Sequence, residues 1–251
     1  LPFAIMRAGI ESARSKEVLT YLRARDIDDQ AALAIATAAE GNWLVATTFA
    51  NVLSERRARG EDAPLDYCRV SLGDSFEELI GNASAGSDGF TRRLLFVLAA
   101  AGAGPVLPES VLVGAVGRAD DPGGAELQEL QEPLARLRGL VAQSDVATPS
   151  SAAHYGVFHQ ELVSHLAALY PDAIVAAHRS IVAALESLVP GGRTVVTDDQ
   201  KYALGREMIH RWQAGQREGL PLRLVRIVPE NPRQNFDAWI GLESAKEYIG
   251  R

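Results

Sequence analysis

Two short strand-like runs constrain this chain most, because the apolar residues of its other segments recur at helical spacing. The runs cover residues 139–144 and 154–158, and the turn-forming stretch Thr148-Pro149-Ser150-Ser151 lies between them. Runs of this kind, joined by a turn-rich segment, are typical of a β hairpin. The sequence therefore predicts one hairpin in a mostly helical (mostly α) fold.

Three helical segments precede the hairpin. The first two cover residues 90–101 and 108–116, and the third carries leucines at three- and four-residue spacing. These leucines are Leu127, Leu130, Leu134, Leu137 and Leu140. Pro133 predicts a break or restart in this helix, since proline removes a backbone donor. Three helices followed by a hairpin is the order of a winged helix, which we expect over residues 81–170.

The region before this unit is predicted to be helical as well. Strong helix formers at residues 31–39 follow an acidic start, in which Asp26 or Asp28 is the expected N-cap. A further helix is expected to open at Trp43, and another at Ser75, whose hydroxyl would cap it. The sequence thus predicts several helices before the winged helix.

Two boundaries divide the chain into three predicted domains. The small-residue tract 81–89 separates a helical segment, residues 1–80, from the winged helix. After residue 170, helical spacing returns through 171–188 and 202–213. We therefore expect a C-terminal helical arm over residues 171–251.

Composition limits the function classes. The chain has 251 residues, 47% of them apolar, which is enough for one large or two to three small domains. Its net charge of −7 argues against binding nucleic acid or anionic lipid through an overall positive field. The single cysteine, Cys68, excludes an internal disulfide, and no apolar run approaches the roughly 20 residues that span a bilayer. We expect a cytoplasmic protein with no membrane partner.

The sequence predicts no catalytic residue and no metal site. The histidines stand at positions 154, 159, 165, 178 and 210, without the spacing of a His-Glu-x-x-His motif. Histidines scattered in this way are mostly surface or hydrogen-bonded core residues. The chain also lacks Gly-x-x-x-x-Gly-Lys-Ser/Thr, the motif that cradles a triphosphate. This chain alone is therefore not expected to be an enzyme.

Two groups of charged residues bear on phosphate and nucleic acid. Arg56, Arg57 and Arg59 could contact a phosphate, but cations also suit a solvated helix C-terminus, which is the favoured interpretation. The third helix of the winged helix would read bases if the unit bound DNA. It carries Glu126, Glu129 and Glu132 against Arg136 and Arg138, and these carboxylates would repel phosphate. Nucleic acid is therefore not an expected partner.

Three segments, taken in order, resemble a known family. They are Gly41-Asn42-Trp43-Leu44-Val45-Ala46, then Phe90-Thr91-Arg92-Arg93-Leu94-Leu95, and Tyr155-Gly156-Val157-Phe158-His159-Gln160-Glu161-Leu162. Together they resemble the C-terminal part of the signal-transduction ATPases with numerous domains (STAND, NACHT/NB-ARC-like), over roughly residues 16 to 215. The resemblance implies a helical lid over residues 1–80, followed by the winged helix and the helical arm.

The resemblance also implies a nucleotide site shared with other parts of a parent protein. His159 matches the histidine that contacts the diphosphate of ADP, and Gly41, Asn42 and Trp43 match the lid segment. Several relatives have proline where this chain has Trp43, so the indole either contacts a base or packs in the core, and the core is favoured. For His159 the alternative is that it closes the winged-helix core beside Phe158.

Under this resemblance, the P-loop and the magnesium-binding acid would precede residue 1, and sensor repeats would follow the arm. ADP and ATP would then be ligands of the parent protein, and a homo-oligomer is a possible assembly. Three hypotheses stay open. The first is a STAND regulatory fragment, the second a winged-helix transcription regulator, and the third a helical interaction scaffold without a nucleotide role. The acidic third helix favours the first and the third.

Overall fold

The computed structural model describes residues 15–61, 71–85, 89–117, 127–144, 153–189, 197–216 and 218. The chain divides into two compact units, Leu1–Ala85 and Gly86–Arg251, and each is described by itself. Cys68, Glu126 and the arm beyond residue 218 lie outside the described residues. The mostly α fold class is confirmed.

The described residues of the first unit form four helices. They are α1 (residues 15–24), α2 (Asp29–Ala39), α3 (Trp43–Ala58) and α4 (Leu72–Ser84). Of the two expected N-caps, Asp26 and Asp28, it is Asp28 that caps the second helix, because its carboxylate accepts a hydrogen bond from the backbone N–H of Ala31 at 2.9 Å. The core of the unit is the cluster in which α1, α2 and one face of α3 meet. Its largest members are Leu22, Ile35 and Phe49.

The predicted start of the fourth helix at Ser75 is wrong, since α4 begins one turn earlier. Ser71 is its N-cap, with its hydroxyl accepting from the backbone N–H of Asp74 at 3.0 Å. The Asp74 carboxylate in turn accepts from the backbone N–H of Ser71 at 3.2 Å. This reciprocal capping box satisfies two backbone donors, whereas Ser75 is buried inside the first turn.

The second unit contains six further helices and a small sheet among the residues described. The helices are α5 (Phe90–Ala101), α6 (Glu109–Val116), α7 (Leu127–Arg136), α8 (Gln160–Leu169), α9 (Pro171–Leu188) and α10 (Asp198–Gln213). The strands are β1 (Leu107–Pro108), β2 (Val141–Gln143) and β3 (His154–Val157). The predicted order of three helices and two strands is present, and β1 is an addition that the sequence reading missed.

The expected break at Pro133 is also wrong, because α7 continues through it from Leu127 to Arg136. The carbonyl that loses its donor at this proline belongs to Glu129, an exposed residue, so water can satisfy it. The inward face of the helix is held by Leu130 and Leu137, both of which are buried. Burial of this stripe outweighs the missing hydrogen bond.

The sheet has strand order β1-β3-β2, and both pairings are antiparallel. In the register of β2 and β3, Val141 lies opposite Val157. The turn after α5 passes close to β3, and the backbone N–H of Gly104 donates to the Val157 carbonyl at 2.7 Å. A Cβ at Gly156 would lie 1.8 Å from the Gly104 carbonyl oxygen. The crossing therefore requires glycine at position 156.

Helix α9 lies at the centre of the second unit, packed against α5, α6 and α10. Its buried face includes Ile181, Val182 and Leu185. A Cβ at Gly114 of α6 would lie 3.1 Å from the Cβ of Ala184, so these two helices approach closely. Helices α9 and α10 thus belong to the same compact unit as α5 to α8, while the domain limits at residues 80 and 170 stay predictions. No helix in the described ranges is both long and apolar enough to cross a bilayer.

Candidate functional site

His159, the residue singled out for phosphate contact, is the N-cap of α8. Its backbone is extended (φ −149°, ψ 147°), and its Nδ1 accepts a hydrogen bond from the backbone N–H of Glu161 at 3.1 Å. A ring nitrogen that accepts a hydrogen bond carries no hydrogen, so the neutral ring holds its hydrogen on Nε2. Helix capping therefore fixes which atom of His159 acts as a donor.

The surroundings of His159 combine one feature that attracts an anion with one that opposes it. The backbone dipoles of α8 place partial positive charge at its first turn, where His159 lies. The carboxylate of Glu161 lies in the same turn and stabilises the helix end, but it repels an incoming phosphate. The ring of His159 is exposed, and α8 is anchored below it by the buried Leu162 and Leu166.

The alternative that His159 closes the winged-helix core does not fit its position. Its side chain is exposed, while Phe158 is half-buried beside it, with ring centroids 6.3 Å apart. Because the backbone changes direction at the end of β3, the side chains of Phe158 and His159 lie in different environments. Phe158 performs the packing role, and His159 faces solvent.

The lid-like segment Gly41-Asn42-Trp43 forms the turn between α2 and α3. Gly41 is buried with φ 79°, a left-handed conformation that suits glycine. Asn42 is the N-cap of α3, and its side-chain oxygen accepts from the backbone N–H groups of Leu44 and Val45 at 3.0 and 3.4 Å. Turn formation and capping account for the Gly-Asn pair within the first unit.

The expectation that Trp43 packs in the core is wrong. Its side chain is 40% exposed and meets Tyr21 of α1 edge to face, with ring centroids 5.3 Å apart. Trp43 is the first residue of α3, and its neighbours Leu44 and Ala46 are the buried ones. The indole therefore forms part of the surface of the first unit.

The predicted site residues are divided between the two compact units. Gly41, Asn42 and Trp43 belong to Leu1–Ala85, and His159 belongs to Gly86–Arg251. Each part has a complete local explanation as a cap, a turn or a surface contact. Their joint role in nucleotide binding stays a prediction.

The arginine cluster at the end of α3 is neutralised by carboxylates. Arg56 makes two hydrogen bonds to Glu78, both 2.6 Å long, and Arg59 reaches the same carboxylate at 3.4 Å. Arg57 pairs with Asp28 at the start of α2. These ion pairs tie α3 to its neighbours, which favours the structural interpretation of the cluster over a phosphate site.

The outward face of α7 is acidic, as the sequence suggests. Glu129 and Glu132 are exposed, and Arg136 forms an ion pair with Glu132 at 2.6 Å. A groove of about 520 Å³ separates this helix from the sheet, with Arg138 and Tyr155 among the residues that line it. Carboxylates on this face oppose the counterion release that drives DNA binding.

Tyr155 contributes no acid-base chemistry to that groove at ordinary pH. Burial, together with the nearby Glu109 carboxylate, raises its pKa to about 12. The hydroxyl lies 3.2 Å from a Glu109 oxygen, to which it donates. The pair links β3 to α6. Within the described ranges, no group of three or more histidine, cysteine or acidic residues could hold a metal ion.

A buried polar chain between α9 and α10 is the feature that sequence reasoning missed. Nδ1 of His178 lies 2.8 Å from Nδ1 of His210, and Nε2 of His210 lies 2.8 Å from the hydroxyl oxygen of Tyr202. Burial lowers the pKa of His178 to about 4. Burial, with smaller effects of His178 and Arg206, lowers the pKa of His210 to about 3. Both rings are therefore neutral at physiological pH.

An ion-pair group lies further along the same interface. The guanidinium of Arg211 donates to Glu207 of α10 at 2.8 Å and to Glu186 of α9 at 2.6 Å. Arg179 of α9 donates to the backbone carbonyl of Ala214 at 3.3 Å, just after α10 ends. The sequence signal for this interface was the placement of histidine and charged residues among apolar residues at helical spacing.

A scan against protein-family models finds no match to this chain, and searches of curated proteins and of solved structures find no similar protein. The functional conclusion therefore rests on the geometry of the residues described above.

Proposed function

We propose that this chain is the regulatory part of a STAND-type ATPase, which couples nucleotide state to domain rearrangement and oligomerisation in signalling or defence. The observation that carries the proposal is the geometry of His159. Its Nδ1 is engaged by the cap of α8, so its exposed ring presents Nε2–H as the donor. A donor of this kind beside a helix N-terminus suits a phosphate oxygen of ADP.

The order of elements gives further support. Helices α5, α6 and α7 precede the paired strands β2 and β3, and His159 follows β3 after one intervening residue. This is the order of a winged helix with a histidine at its end, and β1 adds the third strand of the sheet. Helices α1 to α4 correspond to the lid, and α9 and α10 to the arm.

The proposal requires further elements in the parent protein. A P-loop and a magnesium-binding acid must come from outside these 251 residues, which contain no P-loop motif. This chain would then bind ADP without hydrolysing ATP. Its partners would be the nucleotide-binding core, C-terminal sensor repeats and further copies in a homo-oligomer. The proposal includes a cytoplasmic location, for which the single cysteine, Cys68, is the support.

The test uses the polypeptide that carries both the nucleotide-binding core and this chain. His159→Asn keeps a good N-cap, since asparagine caps helices well, but it removes the Nε2 donor. His159→Ala removes both functions. We expect both variants to retain less ADP after purification than the unsubstituted protein, measured as nucleotide released on denaturation.

The two substitutions separate a ligand contact from a structural role. If His159 acts only as a cap, His159→Asn will retain ADP normally and only His159→Ala will lose it. That outcome, or a polypeptide without any P-loop, would reject the proposed function. Arg57→Gln is a matched control, because Arg57 is an exposed charged residue that pairs with Asp28 and is expected to leave ADP retention unchanged.

A further inference from the structure

The interface between α9 and α10 contains a chain of three hydrogen-bonding side chains, Tyr202, His210 and His178. All three are buried, and His210 and His178 come from different helices. Two nitrogens 2.8 Å apart leave room for one hydrogen between them. The chain can therefore exist only with particular hydrogens on particular atoms.

One arrangement of hydrogens satisfies both hydrogen bonds of the chain and gives the Tyr202 hydroxyl an acceptor. The Tyr202 hydroxyl donates to Nε2 of His210, and Nδ1–H of His210 donates to Nδ1 of His178. The opposite direction would need another acceptor for the Tyr202 hydroxyl, and the part of the chain that is described provides none. The neutral pair is thus a donor-to-acceptor relay from α10 to α9.

Few ring nitrogens of the neutral pair can accept an added proton. The first added proton must occupy Nε2 of His210, where it takes the acceptor away from the Tyr202 hydroxyl and puts a positive charge in the interface. The second must enter the gap between the two Nδ1 atoms, where two N–H groups would face each other at 2.8 Å. The first step reverses the bond between Tyr202 and His210 and leaves the hydroxyl hydrogen of the buried tyrosine without its acceptor, and the second removes the hydrogen bond that joins α9 to α10.

We propose that the His178–His210 pair is an acid-labile latch that holds α10 against α9. When both rings are neutral, the relay is complete and α10 is docked. Protonation breaks the relay and loosens α10. The proposal concerns the arm of the molecule and does not depend on nucleotide binding at His159.

Charged neighbours on the two helices do not compensate a protonated ring. Arg206 of α10 opposes protonation of His210, because it lowers the pKa of that ring. The carboxylates of Glu186 and Glu207 both accept from Arg211. Arg179 of α9 donates to a backbone carbonyl. A proton on the pair is therefore repelled by Arg206. Among the described residues, no carboxylate is hydrogen-bonded to either ring to offset the added charge.

The other elements packed against α9 or α10 add no compensating charge. Their ionisable groups, among the residues described, are Arg92 and Arg93 of α5, Glu109 of α6, and Glu161 and His165 of α8. None of these shifts the pKa of either ring of the pair. The latch is governed by burial and by its own hydrogen bonds.

The direction of the pH effect follows from the lowered pKa values of the two rings. An unfolded or undocked histidine titrates near pH 6.5, about its ordinary pKa. The stabilisation by the neutral pair is therefore fully present above about pH 6.5 and is lost as the pH falls from there toward about 4 for His178 and about 3 for His210. Because the pair joins α10 to α9, we expect α10 to loosen before the whole unit unfolds.

The test is hydrogen exchange of the full chain at pH 7.5 and pH 5.0, corrected for intrinsic exchange rates. We expect the opening equilibrium of peptides from α10 to rise at the lower pH by about 30-fold for each ring that becomes protonated on undocking, because pH 5.0 lies about 1.5 units below the ordinary pKa of histidine. Peptides from α5 should change much less. Equal protection of α10 at the two pH values would overturn the latch.

Two variants show whether the pair is responsible. His178→Asn with His210→Gln keeps neutral hydrogen-bonding groups at both positions and cannot be protonated, so the pH dependence of α10 should disappear. His165→Asn, a histidine of α8 outside the pair, should retain the full pH dependence. A double variant with the same pH dependence as the unsubstituted chain would reject the proposal.

A second measurement applies if the double variant does not fold. Nitrogen-15 NMR of the unsubstituted chain reports the hydrogen position on each ring and its titration. We expect Nδ1–H on His210 and Nε2–H on His178 at pH 7, with both rings still neutral at pH 5.5. Titration of these two rings near pH 6.5 would contradict the latch.

Discussion

Two histidine regions of the second unit place the same side chain in opposite environments. His159 is exposed and uses one ring nitrogen to cap α8, and the other is the nitrogen that we propose for a phosphate contact. His178 and His210 are buried and use their facing nitrogens to join two helices. The difference teaches that burial, more than residue type, decides whether a histidine can bind a ligand or hold a fold together.

The energetic consequences of the two regions should differ as well. Removing a partner from a buried hydrogen-bonded chain leaves polar groups without water or protein to satisfy them. Removing an exposed cap costs only the weak stabilisation of one helix end. The substitutions below separate the two regions by their effects on stability, and the first tests the sheet from which His159 projects.

The largest effect is expected from Gly156→Ala. The new Cβ would lie 1.8 Å from the Gly104 carbonyl oxygen, so β3 or the turn after α5 must move. We expect a loss of about 3 kcal/mol or more in the free energy of unfolding, measured by urea denaturation. Gly205→Ala is the matched control, because the space at Gly205 inside α10 is open. It should stabilise the chain by up to about 1 kcal/mol through better helix propensity.

A Gly156→Ala variant as stable as the unsubstituted chain would contradict the close crossing of β3 by the segment that contains Gly104. Such a result would also remove the argument that β3 fixes the position from which His159 projects. The comparison would then rest on the buried pair alone.

His210→Ala should have the next largest effect. It leaves the buried Tyr202 hydroxyl and His178 Nδ1 without their partner, and it also opens a cavity between α9 and α10. We expect a loss of about 2 kcal/mol in the free energy of unfolding at pH 7.5, from unsatisfied polar groups and lost packing. The control is His165→Ala, at a histidine of α8 outside the pair. If the two variants are equally stable, the buried chain does not hold the two helices.

His159→Ala should lower stability only slightly. It removes one exposed side-chain cap, and we expect a loss of about 0.5 kcal/mol, at the low end for helix caps. The measurement is thermal unfolding of this variant and of His159→Asn, whose asparagine cap should restore the lost stability. A loss as large as that of His210→Ala would break the comparison, because His159 would then be a core residue.

We expect no detectable binding of the chain to duplex DNA. The exposed carboxylates Glu129 and Glu132 occupy the face of α7 that would enter the major groove. A gel-shift titration with a random duplex at low salt should therefore give no complex. Binding that weakens steeply as salt rises would favour the transcription-regulator hypothesis instead.

Local sequence signals predicted much of the fold. Apolar spacing predicted the helices, the acidic start predicted a cap at Asp26 or Asp28, and the turn-rich stretch predicted the pairing of β2 with β3. Each of these depends on residues close together in the chain. The N-cap at Ser71 was missed because two serines four residues apart compete for the role, and the side chain of Asp74 decides it.

Tertiary contacts limited the rest of the prediction. Strand β1 has only two residues, one of them Pro108, so it has no alternation to recognise. Trp43 was expected inside because of its size, but its place on α3 depends on how Tyr21 packs beside it. The His178–His210 contact joins residues 32 positions apart, and no local pattern predicts that two buried rings will meet through their Nδ1 atoms.

The most direct test of the contrast is ADP occupancy and stability measured together in the polypeptide that carries the nucleotide-binding core. We predict that His159→Asn loses bound ADP while its free energy of unfolding without nucleotide is unchanged. The double substitution His178→Asn with His210→Gln should instead retain ADP and lose the pH dependence of α10. Full ADP occupancy in His159→Asn would contradict the claim that His159 is a ligand-binding residue.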